Sequence, residues 1–123
     1  MVPPAAPPDA RPLIALAMGD PAGISAELAA RALALDEVRA AARIVVVGDR
    51  RVLEAGARVA GVALDVDWQR DTATLDASAR PVCVDLANLD PAGVERAVAA
   101  LAGGAFALAN YRTCLELAGA GRV

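Results

Sequence analysis

Two kinds of apolar pattern alternate along this chain. Leu13–Met18 and Ile44–Val47 are short uninterrupted runs, with the length expected of strands buried on both faces. After each run, apolar residues recur at helical spacing: Ile24, Leu28, Ala32 and Leu35, then Val52, Leu53, Ala57 and Ala60. The spacing predicts helices over about 24–35 and 50–60, the second closed by Gly61. Between them Asp36 is placed to cap a short turn, with Glu37 also near its positive end.

The second half is less regular. Val62, Leu64, Val66 and Trp68 fall on one face and Asp65 and Asp67 on the other, the period of a half-exposed strand at a sheet edge. Residues 70–80 are polar and irregular, hence loop. Pro81 opens another short strand, V-C-V-D-L, and Asp90-Pro91 offers a cap followed by proline at the first helical position. Val94, Val98 and Leu101 then follow at helical spacing as far as Gly103-Gly104. A last helix over about 105–118 carries Leu108, Tyr111, Leu115 and Leu117, and Gly119 and Gly121 end it.

The predicted order is β-α-β-α-β-β-α-α, which implies an α/β layered fold with a largely parallel sheet over residues 11–123. Residues 1–10 hold four of the eight prolines and read as a disordered or extended lead-in. Arg122-Val123 follow a helix and its glycine stop, where such a fold enters its next strand. The expectation is an incomplete N-terminal domain of a longer protein.

Composition narrows the function. A chain of 123 residues is one domain's worth, and 57% hydrophobic with 2% aromatic content makes the core one of Ala, Val, Leu and Ile. The 12 basic residues are all arginine and scattered, and the net charge is −3, which argues against a nucleic-acid surface. Cys83 and Cys114 lack metal-knuckle spacing and read as reduced thiols. The N-terminus lacks signal-peptide character and no run reaches membrane-spanning length, so the expected location is the cytoplasm. There is no histidine. That removes the ready general base at neutral pH and the usual zinc ligand, so no catalytic or metal-ligating residue is assigned.

The candidate site is where the first run stops: Met18-Gly19-Asp20-Pro21-Ala22-Gly23-Ile24-Ser25-Ala26-Glu27. A strand, a glycine-bounded turn and a helix start can present free backbone N–H groups to an anion. The glycine spacing departs from the G-x-G-x-x-G of dinucleotide sites, and by pattern alone the turn is equally an ordinary connection. Asp49, at the end of the second run, reads either as a ribose-binding acid or, preferably, as the cap of the helix from Arg50.

Taken whole, this stretch resembles the N-terminal signature of the 4-phosphohydroxy-L-threonine dehydrogenase family, Gly-Asp-Pro-Ala-Gly-Ile-Gly-Pro-Glu after an apolar strand. Gly19 to Ile24 and Glu27 match it, while Ser25-Ala26 replace Gly-Pro. Ile44–Asp49 and Gly104–Gly121 are similar more loosely. The resemblance implies a fold like that of isocitrate and isopropylmalate dehydrogenases, and a homodimer with its site between two domains. It implies NAD-dependent oxidation and decarboxylation of a phosphorylated hydroxy acid, feeding pyridoxal phosphate synthesis in the main subgroup and acting on erythronate or threonate phosphates in others. A divalent metal (zinc, magnesium or cobalt), held by residues outside this chain, is the implied Lewis acid.

The cofactor-side residues implied here are Asp20, Gly23, Ile24 and Glu27: Ile24 near the cofactor, with Asp20 and Glu27 ordering the turn. Each has a plainer reading, Asp20 bonding its own backbone, Glu27 as a first-turn charge, Ile24 as core. By itself the chain is expected to be inactive. The alternatives are a stand-alone nucleotide-binding or regulatory module and a non-functional remnant with an exposed sheet edge.

Overall fold

The structure, a computed structural model, describes residues 9–78 and 80–123; residues 1–8 of the expected lead-in lie outside them. Four strands, β1 (Leu13–Ala17), β2 (Arg43–Gly48), β3 (Asp67–Gln69) and β4 (Val82–Asp85), form one sheet in the order β1-β2-β4-β3. Every pairing is parallel. The layered α/β fold with a parallel sheet is therefore as expected, and β3 takes the edge position that its alternation implied. The strand itself is shorter than the alternating segment, since residues 62–66 run beside the sheet without pairing. Arg50 stacks on Trp68, 4.6 Å from the ring centroid, and ties this edge to the helix after β2.

Two layers of helix cover the sheet. On one face lie α1 (Ser25–Ala34) and α3 (Arg50–Ala60), whose Ala29, Ala30, Leu33, Val52, Leu53 and Ala57 meet Ile44, Val46 and Cys83. On the other, Leu117 of α4 (Leu101–Gly119) packs with Val45, Val47, Val82 and Val84. Alternate residues of β2 thus serve opposite faces, so its buried run is continuous, as predicted. With few aromatic residues, closeness substitutes for bulk. A Cβ on Gly56 of α3 would lie 2.4 Å from the Ala26 carbonyl carbon, so only glycine permits this α1–α3 approach.

Three sequence expectations need correction. β1 is a sheet edge and not buried on both faces: Ile14 and Leu16 are 46% and 38% exposed, because no described element lies beyond them. The helical spacing after Pro91 produces a single 3-10 turn, Pro91–Gly93, followed by irregular chain. In that segment the Ala97 N–H bonds the Ala22 carbonyl at 2.9 Å with Ala97 in the left-handed region (φ 61°), a tertiary contact that overrides local periodicity. Gly103-Gly104 do not interrupt α4 but lie in its first turn, where amides lack intrahelical partners and glycine costs less. A smaller adjustment concerns Asp36, which is the first residue of α2 (Asp36–Ala41) and makes no capping bond.

Candidate functional site

All strands being parallel, their C-terminal ends share one edge of the sheet, the usual position of ligand crevices in α/β folds. Gly19–Gly23, Asp49 and Asp85 all lie there. The turn is held from several directions. Asp20 Oδ1 accepts the Ala22 N–H at 2.9 Å, and the Asp20 carbonyl accepts the Gly23 N–H at 3.1 Å. Ser25 Oγ accepts the Gly19 N–H at 2.8 Å. From across the molecule, Asn110 Nδ2 of α4 donates to the Met18 carbonyl at 3.0 Å. The Glu27 carboxylate receives Arg96 at 2.8 Å, which with the Ala97–Ala22 bond clamps the 94–100 segment onto the turn.

The four residues singled out in the sequence therefore fall together, in different roles. Asp20 orders its own turn, as its plainer reading held, and Glu27 is a first-turn charge with a distant arginine as partner. Gly23 is exposed. Ile24 is 61% exposed and is not core. Ile24, Leu28, Ala32 and Leu16 wall an open apolar groove of about 520 Å³ along β1 and α1, with Asp20, Gly23 and Ser25 at its head. On the other side of Asp20 a second groove, of about 370 Å³, runs between the turn, the 89–98 segment and the start of α4.

Electrostatics distinguish the helix starts at this edge. α3 is closed to anions. Its N-cap Asp49, buried, accepts from the Arg51 amide (2.8 Å) and guanidinium (2.9 Å) and from the Leu89 N–H (2.9 Å). Burial alone raises the Asp49 pKa, but these donors outweigh it and hold the carboxyl below its usual value. Asp85 takes the neighbouring Arg50 N–H at 3.1 Å. Asp49 is thus the helix cap and not a ribose-binding acid. At α4, Asp20 stands against the first turn: its Oδ1 lies 3.0 Å from where a Cβ on Gly103 would be. α1 carries no side-chain cap, and Gly23, Ile24 and Ser25 at its start line the head of the groove.

Asp85, Arg96, Gly103 and Asn110 were not assigned from sequence. A signal existed for Asp85, which ends an apolar strand as Asp49 does and pairs with Gly48 in register. None existed for Arg96 or Asn110, whose partners lie 69 and 92 residues away. The cysteines are unpaired as expected, Cys83 buried and Cys114 half-buried. Burial pushes the Cys83 thiol up to about 12, so it is no nucleophile. Among the described residues no group of three or more His, Cys, Asp or Glu is placed to hold a metal ion, and no helix is long and apolar enough to cross a membrane.

These features define a parallel α/β domain with a glycine-bounded turn at the C-terminal edge of its sheet. No family model matches the chain. A Rhizobium meliloti protein provisionally named 4-hydroxythreonine-4-phosphate dehydrogenase 2 is 62% identical over 117 residues, 91% of this chain and 32% of that protein. A Symbiobacterium thermophilum protein provisionally named D-threonate 4-phosphate dehydrogenase is 37% identical, over 94% of this chain and 35% of that one. The crystal structure of a 4-hydroxythreonine-4-phosphate dehydrogenase from Burkholderia phymatum superposes with a TM-score of 0.82 at 26% identity, covering 94% of this chain and 35% of that structure. The chain spans about a third of the length of these relatives, and over that third it is similar to 4-hydroxythreonine-4-phosphate dehydrogenases.

Proposed function

We propose that this chain is the N-terminal, cofactor-side part of an NAD-dependent cytoplasmic dehydrogenase acting on a phosphorylated hydroxy acid, of the 4-hydroxythreonine-4-phosphate or D-threonate 4-phosphate type. The observation that carries the reading is Ile24: a large apolar side chain held in solvent, beside uncapped helix amides, by a turn that matches the dehydrogenase signature. A nicotinamide cofactor combines a flat, weakly polar ring with a pyrophosphate. Ile24 and Leu28 suit the first and the α1 amides with Gly23 suit the second. When bound, NAD accepts hydride from the substrate carbinol, and a β-keto acid so formed loses its carboxylate as carbon dioxide.

The part this chain plays is positional. Asp20, Ser25 and Glu27 fix the turn, so Ile24 and the α1 amides need no rearrangement to meet a ligand. A divalent metal does not fit the residues present: there is no histidine and, among the described residues, no suitable cluster, so no step is assigned through one. By itself the chain is expected to form no NADH from either phosphate, and NADH formation by the pure chain contradicts that expectation. The binding role is tested by amide NMR during titration with NAD. Shifts concentrated at Gly19, Gly23, Ile24 and Ser25 are expected, and a titration that leaves those amides unmoved contradicts the assignment.

A further inference from the structure

Arginines that are scattered in the sequence converge in space. Arg11, Arg39, Arg43 and Arg80 line one cavity of about 230 Å³, with the buried Ala42 and Ala77 among its walls. Arg11 precedes β1, Arg43 opens β2 and Arg80 precedes β4, so the cavity lies at the N-terminal edge of the sheet, opposite the Gly19–Gly23 turn. Three of the guanidiniums are fixed by a relay of backbone carbonyls. Arg43 Nε donates to the Arg11 carbonyl at 3.2 Å, Arg11 Nη1 to the Arg39 carbonyl, and Arg39 Nη2 to the Asp65 carbonyl at 2.9 Å. Arg80 reaches the same Asp65 from the other side, Nη1 to Oδ1 at 3.2 Å. At about 30 Å³ per water the cavity has room for roughly seven waters, enough for a small ion and part of its hydration shell.

Four like charges around one cavity repel unless negative charge joins them. Carboxylates supply part of it: Asp9 pairs with Arg11, Asp65 with Arg39 and Arg80, and Asp67 with Arg80. Hydrogen bonds from these arginines hold Asp9 and Asp65 below the usual carboxylate range, so both are ionised at neutral pH. Four guanidiniums against three carboxylates leave one positive charge, on a chain whose net charge is −3. The donors are also in excess. Arg39 Nε is buried and has no hydrogen-bond partner among the described residues, the mark of a missing acceptor. Among the same residues the Arg43 side chain hydrogen-bonds only through Nε. We propose that the cavity binds a small tetrahedral oxyanion, inorganic phosphate or the phosphoryl group of a small organic phosphate. Its oxygens answer the donors left over at Arg39 and Arg43, and its charge answers the excess of the cluster. Because the relay fixes the guanidiniums before the ion arrives, little side-chain freedom is lost on binding.

Amide NMR during titration with sodium phosphate at constant ionic strength tests this, with sodium chloride as the control. Saturable shifts are expected around Arg11, Arg39, Arg43 and Arg80, with Gly19, Gly23 and Ile24 unmoved, and chloride is expected to produce none. Glycerol phosphate separates the two sources: saturation by it as well assigns the cavity to a phosphoryl group carried on a small molecule, and saturation by inorganic phosphate alone assigns it to the free ion. Arg43→Gln is expected to weaken phosphate binding about tenfold or more, the scale of one charge-assisted hydrogen bond. Asp65→Asn works in the opposite direction. Asp65 is exposed, and asparagine keeps its shape while removing a carboxylate that competes for Arg39 and Arg80. Phosphate is expected to bind about twofold or more tighter, the scale of one exposed ion pair. A cluster that only pins the start of the sheet is loosened by the same change and gains no affinity. No saturation with phosphate, shifts that chloride reproduces, or an Asp65→Asn variant that binds phosphate no tighter overturns the proposal.

Discussion

Asn110 and Met18 lie 92 residues apart and are joined by one hydrogen bond, from the Asn110 carboxamide to the Met18 carbonyl at 3.0 Å. Both side chains are fully buried. Through this bond α4 holds the last residue of the first apolar run and thereby the place where Gly19 and Asp20 begin. Asn110 is itself held, since its Oδ1 accepts from Asn88 Nδ2 at 3.0 Å. Asn110→Ala leaves the Asn88 amide unpaired and opens a cavity, and is expected to cost about 2 kcal/mol. Urea denaturation checks this: an unchanged midpoint contradicts the role given to Asn110.

Gly56 against Ala26 is the tightest helix contact. With a Cβ placed 2.4 Å from backbone carbon, Gly56→Ala must push α1 and α3 apart. The gain in helix propensity, about 1 kcal/mol, opposes the cost of overpacking, about 1–3 kcal/mol. Because a backbone, and not a flexible side-chain end, has to move, the net expectation is a loss of about 2 kcal/mol and a lower thermal midpoint. A stabilised Gly56→Ala variant contradicts the close approach.

Asp49 carries a pH signature. Its carboxyl is held below the ordinary value near 3.9 when folded, so its contribution is complete above about pH 4 and is lost as pH falls through the lower folded value. Asp49→Asn keeps the shape but lowers stability at neutral pH by about 1–3 kcal/mol and flattens the acid limb. Parallel stability curves for the two proteins between pH 5 and pH 2, on the order of the window set by that ordinary carboxylate value, contradict it.

Cys83 and Cys114 are expected to differ in reactivity. With its pKa pushed up to about 12 and no exposure, Cys83 reacts only when the sheet opens. A neutral-pH thiol reagent should modify Cys114 first and Cys83 at the rate of unfolding. Equal rates for both in the native protein contradict the burial of β4.

Much of the fold was legible because parallel sheets and amphipathic helices write themselves locally. The β2 run, the α3 stripe with its Asp49 cap and the Gly61 stop are each settled by neighbours in sequence. β1 misled because an apolar run reports what its residues prefer and not whether a neighbour covers them. The 94–100 segment misled because Arg96 and Ala97 are fixed by Glu27 and Ala22, contacts with no local trace. Gly103 read as a breaker because its partner, Asp20, is far back in the chain. The same distance effect divides the site: Asp20, Gly23, Ile24 and Glu27 were visible as one motif, while the residues that clamp it were not.

Calorimetric titration with NAD reads directly whether Ile24 and the turn before α1 seat a nicotinamide cofactor. One saturable site is expected for the unaltered chain. Ile24→Asp sets a negative charge beside the pyrophosphate seat and is expected to weaken binding about tenfold or more without lowering the thermal midpoint, because aspartate is a favoured residue at the N-cap of α1, which Ile24 occupies. No saturable heat with the unaltered chain, or an affinity that Ile24→Asp leaves the same, contradicts the account.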